Sequence, residues 1–450
     1  MMKLRSHLIL KTCWTSNIAL LLGCLTLVVL LIPDKVCAKI SIDINSPSIQ
    51  RIQIAVPDFK NQTPLKEQPE LAAELPEVLS NDLDLSGYFV PMDKKAFLDQ
   101  DGVSLTPEGI NFKNWTVIGA ELLLKAGYTC IGSNNIEVEI RLYDTFLGKE
   151  VLGQKFLGKL DSTRTLMHRI ANEIISVITG TKGMFLSRFV FVNNGTGNKE
   201  IYICDFDGKN AERLTSYKSI SLFPKWSPQG DKVVFNSFKD GPPMVYLMDI
   251  SAGAARVISG KDGSNIAGAS WLPGGDKLSV TLRKSGNPDI FTVDLQGKVL
   301  EQLTTHWAID GSPAFSPDGT RMAFVSNRSG NPQIYVKDLT SGNEERITFD
   351  LKYCTSPSWS QSKRIAFTCM NDGKFDLYTI NPDGSNLKKL TEDSSDNEDP
   401  CWSPDGRYIV FSSNRDGGGY HLYIMNANGQ NQRRITFLKG EDTAPNWSPF

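Results

Sequence analysis

The sequence predicts an all-β six-bladed β-propeller in the C-terminal part of the chain, preceded by a small α/β domain. Two observations carry this reading. An aromatic residue followed by a tight turn recurs through the second half of the 450-residue chain, and the region before it lacks the repeat but shows helical spacing. The repeat reads Trp226-Ser-Pro-Gln-Gly, Trp271-Leu-Pro-Gly-Gly, Phe315-Ser-Pro-Asp-Gly, Trp359-Ser-Gln-Ser-Lys, Trp402-Ser-Pro-Asp-Gly and Trp447-Ser-Pro, in steps of 45, 44, 44, 43 and 45 residues. Helical solenoids have shorter or helix-rich periods, whereas about 40–50 residues built from strands is a propeller blade.

Each unit reads as four strands. The first leads into the aromatic, as in Ser312-Pro-Ala-Phe315. Ser-Pro-Asp-Gly then suits a type I turn, because Pro presets φ and Gly relieves the exit. Arg321–Ser326 and Gln333–Asp338 alternate apolar and polar residues as a second and third strand, and a short fourth ends at Arg346-Ile-Thr348. The first unit, from Phe189 to Thr215, lacks an innermost strand, while Ala444–Phe450 is only an innermost strand. Joined, they complete a sixth blade and remove the open sheet edges that invite aggregation. Pro224, Pro313, Pro357, Pro400 and Pro445 stand two before the aromatic, where a strand with one unpaired edge tolerates proline. The aromatics are read as packing between blades.

Ahead of the propeller, Arg51–Pro57 reads as a buried strand. Pro69–Leu85 and Ser162–Ile178 carry helical spacing, and Ala120–Cys130, Ile136–Phe146 and Val151–Leu160 read as strands. Gly180 ends the second helix. The predicted organisation is therefore residues 1–38 as a signal peptide, 39–50 as an N-terminal arm, 51–182 as the α/β domain and 183–450 as the propeller. The leader has Lys3, Arg5 and Lys11, an apolar run from Ile18 to Ile32, and Val36-Cys-Ala38 at the cleavage site. The alternatives are an uncleaved anchor, for which the run is short, and lipoprotein processing at Cys24. In the arm, Ile40, Ile42 and Ile44 alternate as a strand would, either as a first strand of the domain or as a free arm that adds to a partner's sheet.

The chain carries 48 basic and 50 acidic residues, a net charge of −2. That balance provides no basic excess for nucleic acid, and after the leader no apolar run reaches membrane length. Five cysteines remain past residue 38, at wide spacings and with no C-x-x-C pair, so they read as buried single thiols. His168, His306 and His421 stand in no metal-type pattern, and the six aspartates Asp205, Asp207, Asp249, Asp294, Asp338 and Asp383 read as turn residues. There is no phosphate loop, dinucleotide fingerprint or G-x-S-x-G elbow. Prolyl oligopeptidase-type enzymes share this repeat but need a hydrolase domain after the propeller. No catalytic residue, metal or cofactor is assigned. The alternative of a hydrolase or lyase working in the channel rests on His306 alone; a sugar- or peptidoglycan-binding module is the third class.

The combination resembles the TolB family, the periplasmic components of Tol–Pal systems. The resemblance is carried by the repeat together with Asp84-Leu-Ser-Gly-Tyr-Phe, Trp115-Thr-Val-Ile-Gly-Ala-Glu and the join Thr179-Gly-Thr-Lys-Gly-Met-Phe-Leu-Ser-Arg-Phe. Blade five departs from it with Gln361-Ser-Lys in the turn, and the arm with Pro47. The resemblance implies a monomeric periplasmic scaffold that binds the peptidoglycan-associated lipoprotein Pal through the propeller and TolA through the arm. Its role would be to maintain the outer membrane and assist constriction at division. The loops leading into the innermost strands must lie at one mouth of the channel. They place Asn265, Gly268, Asp310, Gly311, Thr355, Glu398, Asp399, Asp442 and Thr443 there as a polar, acidic partner surface.

Overall fold

A computed structural model of the chain describes residues 51–98, 104–259, 266–283 and 286–449. The leader at 1–38 and the arm at 39–50, with Ile40, Ile42 and Ile44, lie outside the described residues, as does Asn265.

The front domain runs β1 (Ile52–Ala55), β2 (Lys60–Asn61), α1 (Leu71–Leu85), β3 (Phe89–Pro91), α2 (Phe112–Val117), β4 (Leu122–Ile131), β5 (Asn135–Asp144), β6 (Lys149–Lys159) and α3 (Thr163–Thr179). The sheet order is β3-β1-β4-β5-β6, with β2 also on β4; β1 is parallel to both its neighbours and the β4–β6 meander is antiparallel. Leu71, Leu75, Leu79 and Leu83 bury one stripe of α1, and Leu166, Ile170, Ile174 and Ile178 one stripe of α3, where the two helices pack together. Pro76 sits inside α1 and cannot donate to the Ala72 carbonyl; the backbone N–H of Phe59 takes that place at 2.8 Å. Gly180 ends α3 at φ 70°, donating its N–H to the Ser176 carbonyl at 2.9 Å.

The propeller has six four-stranded antiparallel sheets. Their innermost strands are Asp442–Trp447 in blade 1, then Ser221–Trp226, Ile266–Trp271, Asp310–Phe315, Tyr353–Trp359 and Asn397–Trp402 in blades 2 to 6. Asp442–Trp447 pairs with Arg188–Asn193, so the end of the chain closes the ring as the sequence predicts. Trp226 packs with Val190 and Ile203 of blade 1 and Phe235 of blade 2; Trp402 packs with Leu377 of blade 5 and Phe411 of blade 6. The aromatic repeat is therefore the mortar between blades. A second repeat marks where five of the blades end. Thr215, Thr304, Thr348, Thr391 and Thr436 each accept a backbone N–H from the third strand of their own blade, at 2.8–3.0 Å.

The front domain sits on the propeller face that carries the first-to-second and third-to-fourth strand turns. The Tyr408 hydroxyl donates to the Ser86 carbonyl at 2.6 Å. The Arg407 guanidinium donates to the Tyr88 hydroxyl at 3.2 Å, to Thr181 at 2.6 Å and to the Lys182 carbonyl at 2.7 Å. Arg433 donates to Asp84 at 2.9 Å. At Gly87 (φ 71°) a Cβ would stand 2.8 Å from the Asn426 amide, so the Asn426 side chain would have to shift to admit it. The opposite face is formed by the loops into the innermost strands and those between second and third strands, and the described residues of the front domain do not reach it.

Two sequence expectations change. Cys354 and Cys369 are not single thiols: they are directly opposed on adjacent strands of blade 5, with Cα atoms 4.2 Å apart, and form a disulfide. Wide sequence spacing hid a pair that strand register brings together; Cys130, Cys204 and Cys401 do remain free. Blade 5 also keeps its turn without glycine. Lys363 takes φ 61° where Gly230, Gly319 and Gly406 take 73°, 70° and 71°, and still donates to the Ser360 carbonyl at 3.1 Å.

A left-handed non-glycine residue costs about 1–2 kcal/mol, part of which glycine returns through the flexibility of the unfolded chain. Lys363→Gly is expected to raise stability by about 0.5–1 kcal/mol in urea denaturation; a loss would show that the Lys363 side chain is needed. Replacing Cys354 and Cys369 by serine opens a loop of sequence separation 15 and is expected to cost about 2–3 kcal/mol in the same assay.

Candidate functional site: the open mouth of the propeller channel

Every innermost strand carries a register break at the same place, for example between Leu222 and Lys225, Gly311 and Ala314, and Glu398 and Cys401. The residue inside each break has positive φ: Phe223 (55°), Gly268 (63°), Ser312 (50°), Ser356 (52°), Asp399 (54°) and Ala444 (51°). Five of the six precede the repeated proline, and Ala269 replaces it in blade 3. Proline disfavours the helical conformation for the residue before it and removes one ladder N–H, which suits a bulge. The sequence reading explained the proline by the unpaired edge alone; the bulge is the further reason. These six residues line one cavity of ≈ 110 Å³ on the propeller axis, floored by Pro313, Pro357, Pro400 and Pro445. That is room for several waters. A second cavity of ≈ 280 Å³, walled by Trp226, Trp271, Trp359, Trp402 and Trp447 with the Ser-Pro turns, opens toward the other end of the channel.

The predicted mouth residues separate into three layers. Gly268 and Asp399 line the axial cavity, where Ser356 donates its hydroxyl to Asp399 at 2.8 Å. Gly311, Thr355, Glu398 and Thr443 are half-buried one position earlier. The Tyr420 hydroxyl donates to Glu398 at 2.5 Å, and burial leaves that carboxyl above the usual range despite this bond. Asp310 and Asp442 are fully buried and present no carboxylate at the surface, contrary to expectation. Asp310 pairs with Arg328 at 2.8 Å. Asp442 accepts from Asn193 at 2.8 Å and pairs with His421 at 3.3 Å; burial raises its carboxyl although these partners pull the other way. Both occupy the first position of an innermost strand, where each forms a cross-strand pair. Blades 2 and 6 oppose Ser221 to Ser237 and Asn397 to Ser413 there, and in blade 5 the Cys354–Cys369 disulfide stands one position further along. These pairs hold their blades shut behind the mouth.

The sequence reading missed the apolar character of the rim. Trp307 is 72% exposed, Phe437 70%, Phe349 66% and Ile309 52%, all in loops leading into innermost strands. Arg346 lies over Phe349 at 5.0 Å and Arg434 over Phe437 at 4.7 Å, so each of these two exposed rings has a guanidinium against its face. The signal was present: Arg346-Ile-Thr-Phe349 and Arg434-Ile-Thr-Phe437 end their blades with an aromatic that no strand pattern requires. His306 beside Trp307 accepts the Ala308 N–H at 3.1 Å. For a metal, one group among the described residues brings His and carboxylate atoms within 4.8 Å of one another: Asp82, His168 and Asp207. The Arg164 guanidinium already pairs with Asp207, so this is an ion network closed by its own cation.

The family described as TolB beta propeller domain matches residues 175–450, and the TolB amino-terminal domain matches residues 40–151. The Tol-Pal system protein TolB of Desulfosudis oleivorans is 41% identical over 225 residues, 50% of this chain and 51% of that protein. Its counterpart in Syntrophotalea carbinolica is 40% identical over 211 residues, 46% and 48% of the two chains. The chain thus matches about half the length of these curated relatives. The crystal structure of TolB from Acinetobacter baumannii superposes with a TM-score of 0.78 at 26% identity, covering 92% of this chain and 100% of that one.

The layers of the mouth separate by mutation. Asp310→Ala removes one of the two carboxylates that hold Arg328, leaving Glu344, and is expected to cost about 2 kcal/mol, whereas Trp307→Ala is expected to stay within about 0.5 kcal/mol of the parent. Equal losses in urea denaturation would remove the distinction between buried layer and rim.

Proposed function

Because the chain belongs to the TolB family, we propose that it is the periplasmic protein-binding scaffold of a Tol–Pal system, maintaining outer-membrane integrity and assisting constriction at cell division. The observation that carries this reading is the exposed apolar rim, Trp307, Ile309, Phe349 and Phe437, around a narrow axial cavity on the face the front domain leaves open. Exposed aromatic side chains, two of them beside arginine, are the residue types on which protein interfaces concentrate binding energy. The partner proposed for this face is Pal. For the arm at residues 39–50, the partner proposed is TolA, through Ile40, Ile42 and Ile44.

Export has its own support. The leader has the pattern of a signal peptide, with residues 1–38 as its proposed extent, and the Cys354–Cys369 disulfide suits an oxidising compartment. No helix among the described residues is long and apolar enough to cross a membrane. An enzyme working in the channel is not favoured. His306, its one candidate base, is bonded within its own loop, and no carboxylate pairs with it among the described residues.

The test is calorimetric titration of residues 39–450 with the periplasmic domain of Pal from the same organism. Saturable binding is expected, weakened at least about tenfold, or about 1.4 kcal/mol, by Trp307→Ala or Phe349→Ala with the unfolding midpoint unchanged. Removing residues 39–50 is expected to abolish capture by TolA and to leave Pal binding intact. Failure to bind Pal at high micromolar concentration would overturn the scaffold reading.

A further inference from the structure

The junction between the two parts of the molecule contains a buried charge network that neither the fold nor the mouth uses. Asp82 lies in the last turn of α1 and is fully buried; His168 on α3 is 3% exposed, and its Nδ1 is 2.6 Å from Asp82 Oδ2. Arg164, one turn earlier on α3, pairs with Asp207, which belongs to the turn after the third strand of blade 1 and is 6% exposed. Asp207 also caps that turn, accepting the Lys209 N–H at 3.1 Å, as the sequence reading had it. The second oxygen of Asp82 and the Nε2 of His168 are buried with no hydrogen-bond partner in the structure.

Charge counting gives the cluster a direction. With His168 neutral, two carboxylates face one guanidinium in a buried space, and an uncompensated buried charge is costly. With His168 protonated, two cations face two anions. We infer that Asp82, His168, Arg164 and Asp207 form a protonation-controlled latch, which ties the α/β domain to blade 1 when the imidazole is charged and loosens when it is not.

The charged groups that reach His168 are Asp82 from α1, Arg164 from α3 and Asp207 from the propeller. Burial alone would lower the imidazole; the hydrogen bond and charge of Asp82, with the charge of Asp207, outweigh it and raise the imidazole above its ordinary value. Burial pushes Asp82 up to about 6, with His168 pulling the other way. Both shifts make the folded cluster hold protons to higher pH than the unfolded chain does. Its stabilisation is therefore held while the imidazole is charged, and is lost as pH rises through the raised imidazole value. The latch also reaches the ring closure. Phe206, next to Asp207, packs on Trp447 of the closing strand at 5.8 Å between ring centres.

The experiment is hydrogen exchange on residues 39–450 at pH 5.5 and 8.0, corrected for the intrinsic exchange rate and read on segments 163–170 and 204–210. The parent is expected to lose roughly tenfold of its protection in both segments at the higher pH. His168→Gln and Asp207→Asn are each expected to abolish that difference. Asp207→Asn leaves the Asp82–His168 pair inside the front domain, so it carries the test if His168→Gln does not fold. Equal protection of the parent at the two pH values, or a pH dependence of segment 204–210 that survives in Asp207→Asn, would overturn the latch.

Discussion

The structure depends on one antiparallel pairing, Asp442–Trp447 against Arg188–Asn193. A ring of blades is stable only if its first and last sheets meet, because an open ring exposes two apolar blade faces and a free strand edge. Here the last residues of the chain supply the missing innermost strand. Trp447 then enters an aromatic cluster with Phe189 and Phe206, and its indole N–H donates to Ser187 at 2.7 Å. That cluster lies directly after α3, so closing the ring also seats the front domain. The same element thus decides how many blades there are, where the channel runs and which face remains open.

Within the ring, one backbone problem is solved six times with different chemistry. Each innermost strand must bulge as it passes the axis, and each places one residue with positive φ there: a glycine, an aspartate, two serines, an alanine and a phenylalanine. The positive φ is common to all, while the groups presented to the axis differ. That is how a symmetric scaffold acquires an asymmetric channel. The position behind it behaves likewise, with an ion pair in blade 4, a disulfide in blade 5 and hydrogen-bonded pairs in blades 1 and 2. Holding the blade shut is the requirement, and several side-chain pairs meet it.

The two ends of the channel differ in what covers them. One lies under the front domain, fixed through Arg407, Tyr408 and Arg433 to the segment after α1 and to the link. The other presents aromatic side chains to solvent. Exposed aromatics cost little in stability when held by a neighbouring guanidinium, and they are positioned for contact before any partner arrives, which lowers the entropy lost on binding.

Much of this was legible in the sequence because it depends on local pattern. The aromatic period counted the blades, the incomplete first and last units announced the closure, and the spacing of Leu71, Leu75, Leu79 and Leu83 placed a helix. The leader and the lack of a catalytic motif narrowed the class. What the sequence could not decide rests on which residues meet across the fold. Asp310 and Asp442 look like surface acids in a loop but are turned inward by the bulge beside them. Cys354 and Cys369 are opposed only because strand register aligns them. His168 looked solitary because its partners Asp82 and Asp207 lie on another helix and in another domain. By itself the sequence determined the number, order and closure of the blades, since periodicity and turn chemistry are written along the chain. The tertiary structure alone decided which polar groups are buried in pairs and which side chains form the open mouth, because burial and pairing come from contacts between residues far apart in sequence.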